Sequence, residues 1–270
     1  MMAARLSRRD CLLAALAAGV VPAARSAPDA AAREVMEKNF FASKISSLRT
    51  EATMLLVTPQ GQTRERRLTT QQKLQDNGID SKLVMRFDAP ADIRGVGFLQ
   101  IEHGEADDDQ WIYLPALKKS RRLVANNKKD SFMGSDFSYG DFSRPKVDGY
   151  LHRLLRSEVC DGADCHVVES LPASEAIRTE HGYGRKLTWV RKDSLLEARI
   201  DYDDAGGRPL KTQMATGHQL LEAQTRRWFA MRREIVNHQT GHKTVLTFGS
   251  AQAGMSMSEE VFTPRTIERG

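Results

Sequence analysis

Residues 67–87, RLTTQQKLQDNGIDSKLVMRF, contain two strand-like segments joined by a turn. The Asn-Gly dipeptide at 77–78 strongly favours a tight hairpin turn, because both residue types tolerate the positive φ that such a turn requires. In the second segment Leu83, Met85 and Phe87 alternate with more polar residues, as expected of a strand with one buried face. The stretch therefore predicts an antiparallel hairpin in a sheet that is apolar on one side.

Similar turn signals recur along the chain, with strand-like segments on both sides of each. The sequences DDAGG at 203–207 and NHQTG at 237–241 are two examples. Helical patterns are few, and the clearest covers residues 30–44. We predict a mostly β protein of the α+β class with a long antiparallel sheet. Because no linker rich in Pro, Gly or Ser divides the chain, residues 28–270 are expected to form one domain.

The first 27 residues have the layout of an export signal. Arg8 and Arg9 precede an apolar run at 11–21, CLLAALAAGVV, and the small residues PAARSA follow at 22–27. The sequence SRRDCLL at 7–13 resembles a twin-arginine signal, and a general secretory signal fits the same layout. The alternative is an N-terminal core helix. We expect cleavage near residue 27 and a periplasmic mature protein.

Much of the net positive charge of the chain lies in that signal. The whole sequence has 40 basic and 35 acidic residues, and four arginines and one aspartate lie in residues 1–27. The remaining chain is therefore close to neutral, which argues against nucleic acid as its general partner. The longest apolar run has eleven residues, whereas a membrane-spanning helix needs about 20.

Two cysteines remain after the expected cleavage. Cys160 and Cys165 flank the sequence DGAD at 161–164, which has the composition of a hairpin turn. In an oxidising compartment they are expected to pair as a disulfide that fixes the register of the hairpin. Free thiols are one alternative. A zinc site that includes the adjacent His166 is the other, although a closed site needs four ligands.

Three segments resemble the outer-membrane lipoprotein-sorting family with a LolA-like fold. They are PADIRGVGFL at 90–99, WIYLPALKKSRR at 111–122 and DSFMGSDFSY at 130–139. The resemblance implies an incomplete antiparallel β-barrel, or strongly curved sheet, whose concave face is covered by helices and a long loop. It also implies a cavity that binds the acyl chains of a lipid or lipoprotein, with no cofactor.

The family also implies partners. Relatives often accompany inner-membrane exporters of the resistance–nodulation–division type, so such an exporter and an outer-membrane acceptor are expected partners. The leading hypothesis is a periplasmic carrier or chaperone that sequesters acyl chains and hands them on, with only transient membrane contact. The alternative is a non-catalytic accessory subunit of the exporter that has no cargo of its own.

Apolar and aromatic side chains are the candidates for the cavity. Methionine adapts to irregular apolar cargo, and tyrosine or tryptophan suits a half-wet rim. An ordinary packed core is the alternative interpretation of each. The candidates for the cavity or its lid are Met85, Phe87, Phe98, Trp111, Tyr113, Leu114, Phe132, Met133, Phe137 and Tyr139.

The basic run at 118–122 is the candidate for docking. Lys118, Lys119, Arg121 and Arg122 would attract anionic lipid headgroups or an acidic partner surface. The alternative is a solvated strand edge that its charges protect from aggregation.

The sequence lacks several common enzymatic motifs. The sequence has no Gly-x-Ser-x-Gly elbow, no His-Glu-x-x-His and no Gly-rich phosphate-binding loop. Consecutive aspartates at 107–109 lack the ligand spacing of a calcium loop, and His238 with His242 lacks a third ligand. We therefore expect neither catalysis nor a metal site.

Overall fold

The computed structural model describes residues 29–104, 106–124, 128–143 and 146–269. The expected export signal, residues 1–27, lies outside the described residues.

Thirteen strands in these ranges form one antiparallel sheet. They are β1 Ser47–Val57, β2 Thr63–Leu74, β3 Ser81–Ala89, β4 Gly97–Ile101, β5 Asp109–Leu114, β6 Lys119–Leu123, β7 Tyr150–Cys160, β8 Ala163–Pro172, β9 Tyr183–Arg191, β10 Glu197–Asp204, β11 Pro209–Glu222, β12 Arg227–Asn237 and β13 Lys243–Ala253. The strand order is β6-β5-β4-β3-β2-β1-β13-β12-β11-β10-β9-β8-β7. Pairing of β1 with β13 joins two meanders in the middle of the sheet. The sheet is curved and not closed, so β6 and β7 remain as separate edges. This confirms the predicted fold class, a mostly β protein with a strongly curved antiparallel sheet.

The predicted hairpin at 67–87 is present as β2 and β3, with Leu68 opposite Phe87 and Leu74 opposite Ser81. The side chain of Asn77 stabilises the turn, because its oxygen accepts hydrogen bonds from the backbone N–H groups of Ile79 and Asp80 at 3.0 and 2.9 Å.

Three α-helices accompany the sheet in the described ranges: α1 Ala30–Ala42, α2 Glu175–His181 and α3 Pro264–Glu268. Helix α1 matches the helix predicted over residues 30–44. It begins after Asp29, whose carboxylate accepts a hydrogen bond from the backbone N–H of Ala31 at 2.9 Å. None of the helices in the described part of the chain is long and apolar enough to cross a membrane.

The two faces of strands β3–β5 are covered by different parts of the chain. Leu99 and Val84 lie on the convex face, where Ile267 of α3 covers them. Gly97 permits this close approach, because a Cβ atom at residue 97 would lie 2.7 Å from the Cβ of Ile267. Met85 and Phe87 face the opposite, concave side and belong to the main core.

One segment between the two sheet edges fills the concave side. We call residues 128–143, which lie between β6 and β7, the plug. Its central side chain, Phe132, is fully buried. The ring of Phe132 lies 5.4 Å from that of Phe98 on the sheet and 4.5 Å from that of Phe142 within the plug. The plug is therefore part of the hydrophobic core as well as a cover for it.

The burial of Phe132 predicts a large effect on stability. We expect Phe132→Ala to lower the free energy of unfolding by about 3–5 kcal/mol, because the plug then leaves a cavity in the core. Leu117→Ala is the control, since that side chain is 65% exposed and its loss should change stability by less than about 0.5 kcal/mol. Urea unfolding measures both values. A cost below about 1 kcal/mol for Phe132→Ala would show that the plug is not a core element.

Candidate functional site

The plug contributes to the walls of two cavities on the concave side of the sheet. The first, which we call the apolar cavity, has a volume of about 140 Å³. Strands β1, β2, β3, β12 and β13 line it, together with the plug. Its apolar lining comprises Leu48, Leu68, Leu83, Met85, Phe137, Phe142, Phe229, Leu246 and Phe248. The alternation of side chains along each strand directs all of the sheet residues to the same face.

The second cavity, which we call the polar cavity, also has a volume of about 140 Å³. It lies between α1 on one side and strands β7 to β12 on the other. Its polar lining includes Asp141, Tyr150, His152, Ser170, Lys186, Thr188, Glu197, Gln213 and Arg233. Asp141 and Arg233 line both cavities, so the polar and the apolar cavity meet at these two side chains.

Lys186 projects from β9 into the polar cavity, where tyrosine rings surround it. Its ammonium lies 4.7 Å from the ring centroid of Tyr150, 5.0 Å from that of Tyr183 and 5.7 Å from that of Tyr202. Ring faces attract a cation without saturating its N–H donors. Burial lowers the pKa of Lys186 from 10.5 to about 8, while Asp141 acts in the opposite direction. The cavity thus holds a cation that is costly to keep buried.

The hydroxyl of Tyr150 is a second unusual group in the polar cavity. The side chain is 7% exposed, and within the described ranges its hydroxyl has no hydrogen-bond partner. Burial raises the pKa of this hydroxyl, so it stays protonated and remains a donor at neutral pH. A buried donor without an acceptor costs about 1–3 kcal/mol, and such groups often mark a binding site.

Asp141 ties the end of the plug to the sheet. Its carboxylate accepts hydrogen bonds from the Lys211 ammonium at 2.6 Å and the Tyr183 hydroxyl at 2.7 Å. It also accepts one from the backbone N–H of Ser138 at 2.8 Å. Burial tends to raise the pKa of Asp141, but Lys211 and the hydrogen bonds from Ser138 and Tyr183 together outweigh that effect and lower the pKa. Asp141 is therefore ionised at neutral pH and is fully engaged by these donors.

The histidines beside the polar cavity are neutral at pH 7. Burial lowers the pKa of His152, and it lowers that of His181 to about 3. His152 contacts Ser170 through Nδ1 at 2.8 Å and the Val147 carbonyl through Nε2 at 3.0 Å. Both ring nitrogens of His152 are thus used in structural contacts.

The structure separates the predicted cavity residues into three groups. Met85 and Phe137 line the apolar cavity. Trp111 and Tyr113 lie on the convex face of the sheet against the C-terminal segment, away from both cavities. The remaining six pack in the core beside the apolar cavity: Phe87, Phe98, Leu114, Phe132, Met133 and Tyr139. The role of these residues in binding cargo stays a prediction.

The predicted docking residues lie at one edge of the sheet. Lys118, Lys119, Arg121 and Arg122 are all exposed, and the last three belong to the edge strand β6. Arg122 forms an ion pair with Asp109 of β5. The role of this edge in docking stays a prediction.

The predicted disulfide is not present, because Cys160 and Cys165 are free cysteines. The register of the hairpin explains the difference, since Cys160 lies opposite Ala163 and Cys165 lies opposite Glu158. Cysteines in diagonal positions are about 7–8 Å apart, whereas a disulfide needs Cβ atoms about 3.5–4.5 Å apart. Burial raises the pKa of Cys165 to about 11, so its thiol is unreactive.

Sequence reasoning missed the polar cavity. The signal available was Lys186 in the strand KLTWVR at 186–191, where a cation shares one face with Thr188 and Val190. In the described residues, no group of three or more His, Cys, Asp or Glu side chains is placed to hold a metal ion.

Comparison with known proteins gives matches over most of the chain. A family model described as that of an uncharacterized protein matches residues 79–269. A solved outer membrane lipoprotein-sorting protein domain from Vibrio parahaemolyticus is 28% identical, with a TM-score of 0.80 over 88% of this chain and 99% of that one. A DUF1329 family protein from Desulfovibrio piger is also 28% identical, with a TM-score of 0.81 over 90% and 100% of the two chains.

A LolA superfamily protein from Nitrosomonas europaea shares the fold. It is 20% identical, with a TM-score of 0.64 over 86% of this chain and 97% of that one. No curated protein matches the chain significantly.

The burial of Lys186 predicts a stability effect with a defined pH dependence. Because its pKa is lower in the folded chain than its usual value of 10.5, the unfolded state holds the proton more tightly and folding pays a penalty below pH 8. We expect Lys186→Met to raise the free energy of unfolding by about 2 kcal/mol at pH 7. The advantage should shrink as the pH rises from 8 to about 10. Urea unfolding at pH 7 and pH 10 measures the difference in the free energy of unfolding. A variant less stable than the wild type at pH 7 would contradict the lowered pKa of Lys186.

Proposed function

We propose that this chain, which belongs to the family whose model matches residues 79–269 and is similar to outer membrane lipoprotein-sorting and LolA superfamily domains, is a carrier that shelters the acyl chains of a lipid or lipoprotein from water and hands them on. The observation that carries this proposal is the apolar cavity between the plug and the concave face. Each CH₂ group that leaves water for such a cavity gains about 0.8 kcal/mol.

The size of the apolar cavity implies that the plug moves when cargo enters. Its volume of about 140 Å³ is well below the roughly 300–1,000 Å³ of ordinary ligand pockets. Phe137 and Phe142 of the plug form part of its wall. Outward movement of these rings would extend the cavity into the main core, next to Phe132 and Phe98. An acyl chain would then replace aromatic side chains on the same apolar surface of the sheet.

Competition between plug and cargo suits a carrier. Binding energy is reduced by the cost of removing the plug from the sheet, so the net affinity is moderate and release is possible. The polar ties of the plug favour its return, for example the hydrogen bond between the Asp136 carboxylate and the Thr244 hydroxyl at 2.7 Å. Transfer of this kind makes and breaks no covalent bond, so the proposal assigns no catalytic residue.

The proposal places the protein in the periplasm, with residues 1–27 as a cleaved export signal. Its donor would be an inner-membrane exporter of the resistance–nodulation–division type, and its acceptor would lie at the outer membrane. The exposed cations Lys118, Lys119 and Arg121 on the sheet edge would give transient contact with anionic headgroups. Each cation adds about 1 kcal/mol of attraction, which salt screens.

A cavity-filling variant tests the proposal. Leu83 is partly buried in the wall of the apolar cavity, so Leu83→Trp should fill the cavity with little damage to the fold. We expect the affinity for a fluorescent palmitoyl probe to fall at least tenfold, because the acyl chain loses its space. Fluorescence titration at constant salt measures the affinity.

The control is Ile101→Trp, since Ile101 is also partly buried but lies on the convex face of the neighbouring strand. This variant should bind the probe as the wild type does. If the wild-type protein binds no acyl probe, the accessory-subunit role without cargo is favoured instead. Equal loss of affinity in both variants would exclude the apolar cavity as the site.

A further inference from the structure

We propose that the polar cavity receives the anionic head of the cargo, so that the carrier selects amphiphiles with an acyl chain in the apolar cavity and a carboxylate or phosphate group beside Lys186 and Tyr150. This inference rests on the proposed carrier function and specifies the chemical class of the cargo. It assigns a role to two donors that the acyl-chain site alone does not use, the half-buried Lys186 ammonium and the buried Tyr150 hydroxyl.

The first support is the arrangement around Lys186. Three tyrosine rings hold its ammonium at centroid distances of 4.7–5.7 Å. Asp141 affects Lys186 only through its charge, without a hydrogen bond between the two side chains. The ammonium is therefore fixed in place while its N–H donors face the cavity. A fixed cation with unused donors is suited to bind an anionic oxygen.

The second support is the hydroxyl of Tyr150, whose ring also contacts Lys186. This hydroxyl is buried, lines the same cavity and has no acceptor among the described residues. Lys186 and Tyr150 thus offer two kinds of donor, N–H and O–H, in one cavity. An anionic oxygen would satisfy both, and a hydrocarbon chain would satisfy neither.

Three of the other charged groups that line the polar cavity take part in ion pairs. Asp141 is paired with Lys211 at 2.6 Å, and Glu197 is paired with Arg233 at 3.4 Å. Lys146 also lines the cavity, and its ammonium lies 3.5 Å from the carbonyl of Ala106 at the exposed rim.

The neighbouring titratable groups add no opposing charge. His152 and His181 are neutral because burial lowers their pKa values, and Tyr183 and Tyr202 are neutral because burial raises theirs. Lys186 therefore gives the interior of the cavity a net positive charge, which a single anionic group would neutralise.

The relative position of the cavities sets the orientation of the cargo. The polar cavity has about 140 Å³ of space, and a cavity of about 150 Å³ accommodates a group as large as benzene, so a carboxylate or phosphate fits. The two cavities meet at Asp141 and Arg233. An amphiphile can therefore place its head beside Lys186 and its chain on the apolar side of these residues, towards Met85 and Leu246.

Competition binding tests the inference with ligands that differ only in the head. In this assay, palmitate and hexadecanol each compete with the fluorescent palmitoyl probe for the wild-type protein and for the variants Lys186→Met and Tyr150→Phe. We expect palmitate to bind the wild type at least tenfold more tightly than hexadecanol. Lys186→Met should reduce this preference to less than about twofold by weakening the binding of palmitate, while Tyr150→Phe should reduce the preference by a smaller factor.

The control is Lys192→Met, which removes the same charge from an exposed position just after the same strand and should keep the preference. Equal affinities of the two ligands for the wild type, or an intact preference in Lys186→Met, would overturn the inference and leave the carrier function standing. If neither ligand displaces the probe, the carrier function itself fails.

Two further ligands identify the source of the anion. Tighter binding of 1-palmitoyl lysophosphatidic acid than of palmitate would assign a phosphate head, and the reverse order would assign a carboxylate. Displacement of the probe by inorganic phosphate, at concentrations similar to those of the lipids, would indicate a site for a free ion and would contradict the amphiphile.

Discussion

The open curvature of the sheet is the constraint on which the rest of this structure depends. Thirteen antiparallel strands in the described ranges leave β6 and β7 as separate edges, and the plug, residues 128–143, packs against the concave side. Apolar side chains such as Phe87 and Phe98 on that side need a cover. The plug supplies the cover from within the chain. Under the proposed carrier function, cargo and plug would compete for one apolar surface, which would couple stability to binding.

Asp141 both holds the end of the plug and lines the two cavities. Its carboxylate holds the end of the plug through Lys211 and Tyr183, and its side chain lines both the apolar and the polar cavity. Buried ion pairs add little net stability but are very costly to break on one side. The pair of Asp141 and Lys211 thus fixes where the plug ends without adding much to its affinity for the sheet. This arrangement lets the aromatic part of the plug move while its end stays in place.

Much of the fold was predictable from local signals. The Asn-Gly turn at 77–78 predicted the hairpin of β2 and β3, and alternation in β3 placed Met85 in the wall of the apolar cavity. The face of β5 was not predictable, because Trp111 and Ile112 are both apolar and only the position of the C-terminal segment decides which one faces the concave side.

Two other features depend on information that no local pattern contains. The disulfide prediction failed because the hairpin register, not the spacing of Cys160 and Cys165 in sequence, sets their separation. The environment of Lys186 could not be foreseen, since the tyrosines that surround it come from three different strands.

The central claim is that cargo displaces the plug, and amide hydrogen exchange tests this claim most directly. With saturating palmitate, exchange at Phe132 and Tyr139, whose backbone N–H groups bond within the plug, should accelerate while strand β12 stays protected. Unchanged or slower exchange in the plug of the loaded protein would contradict the account.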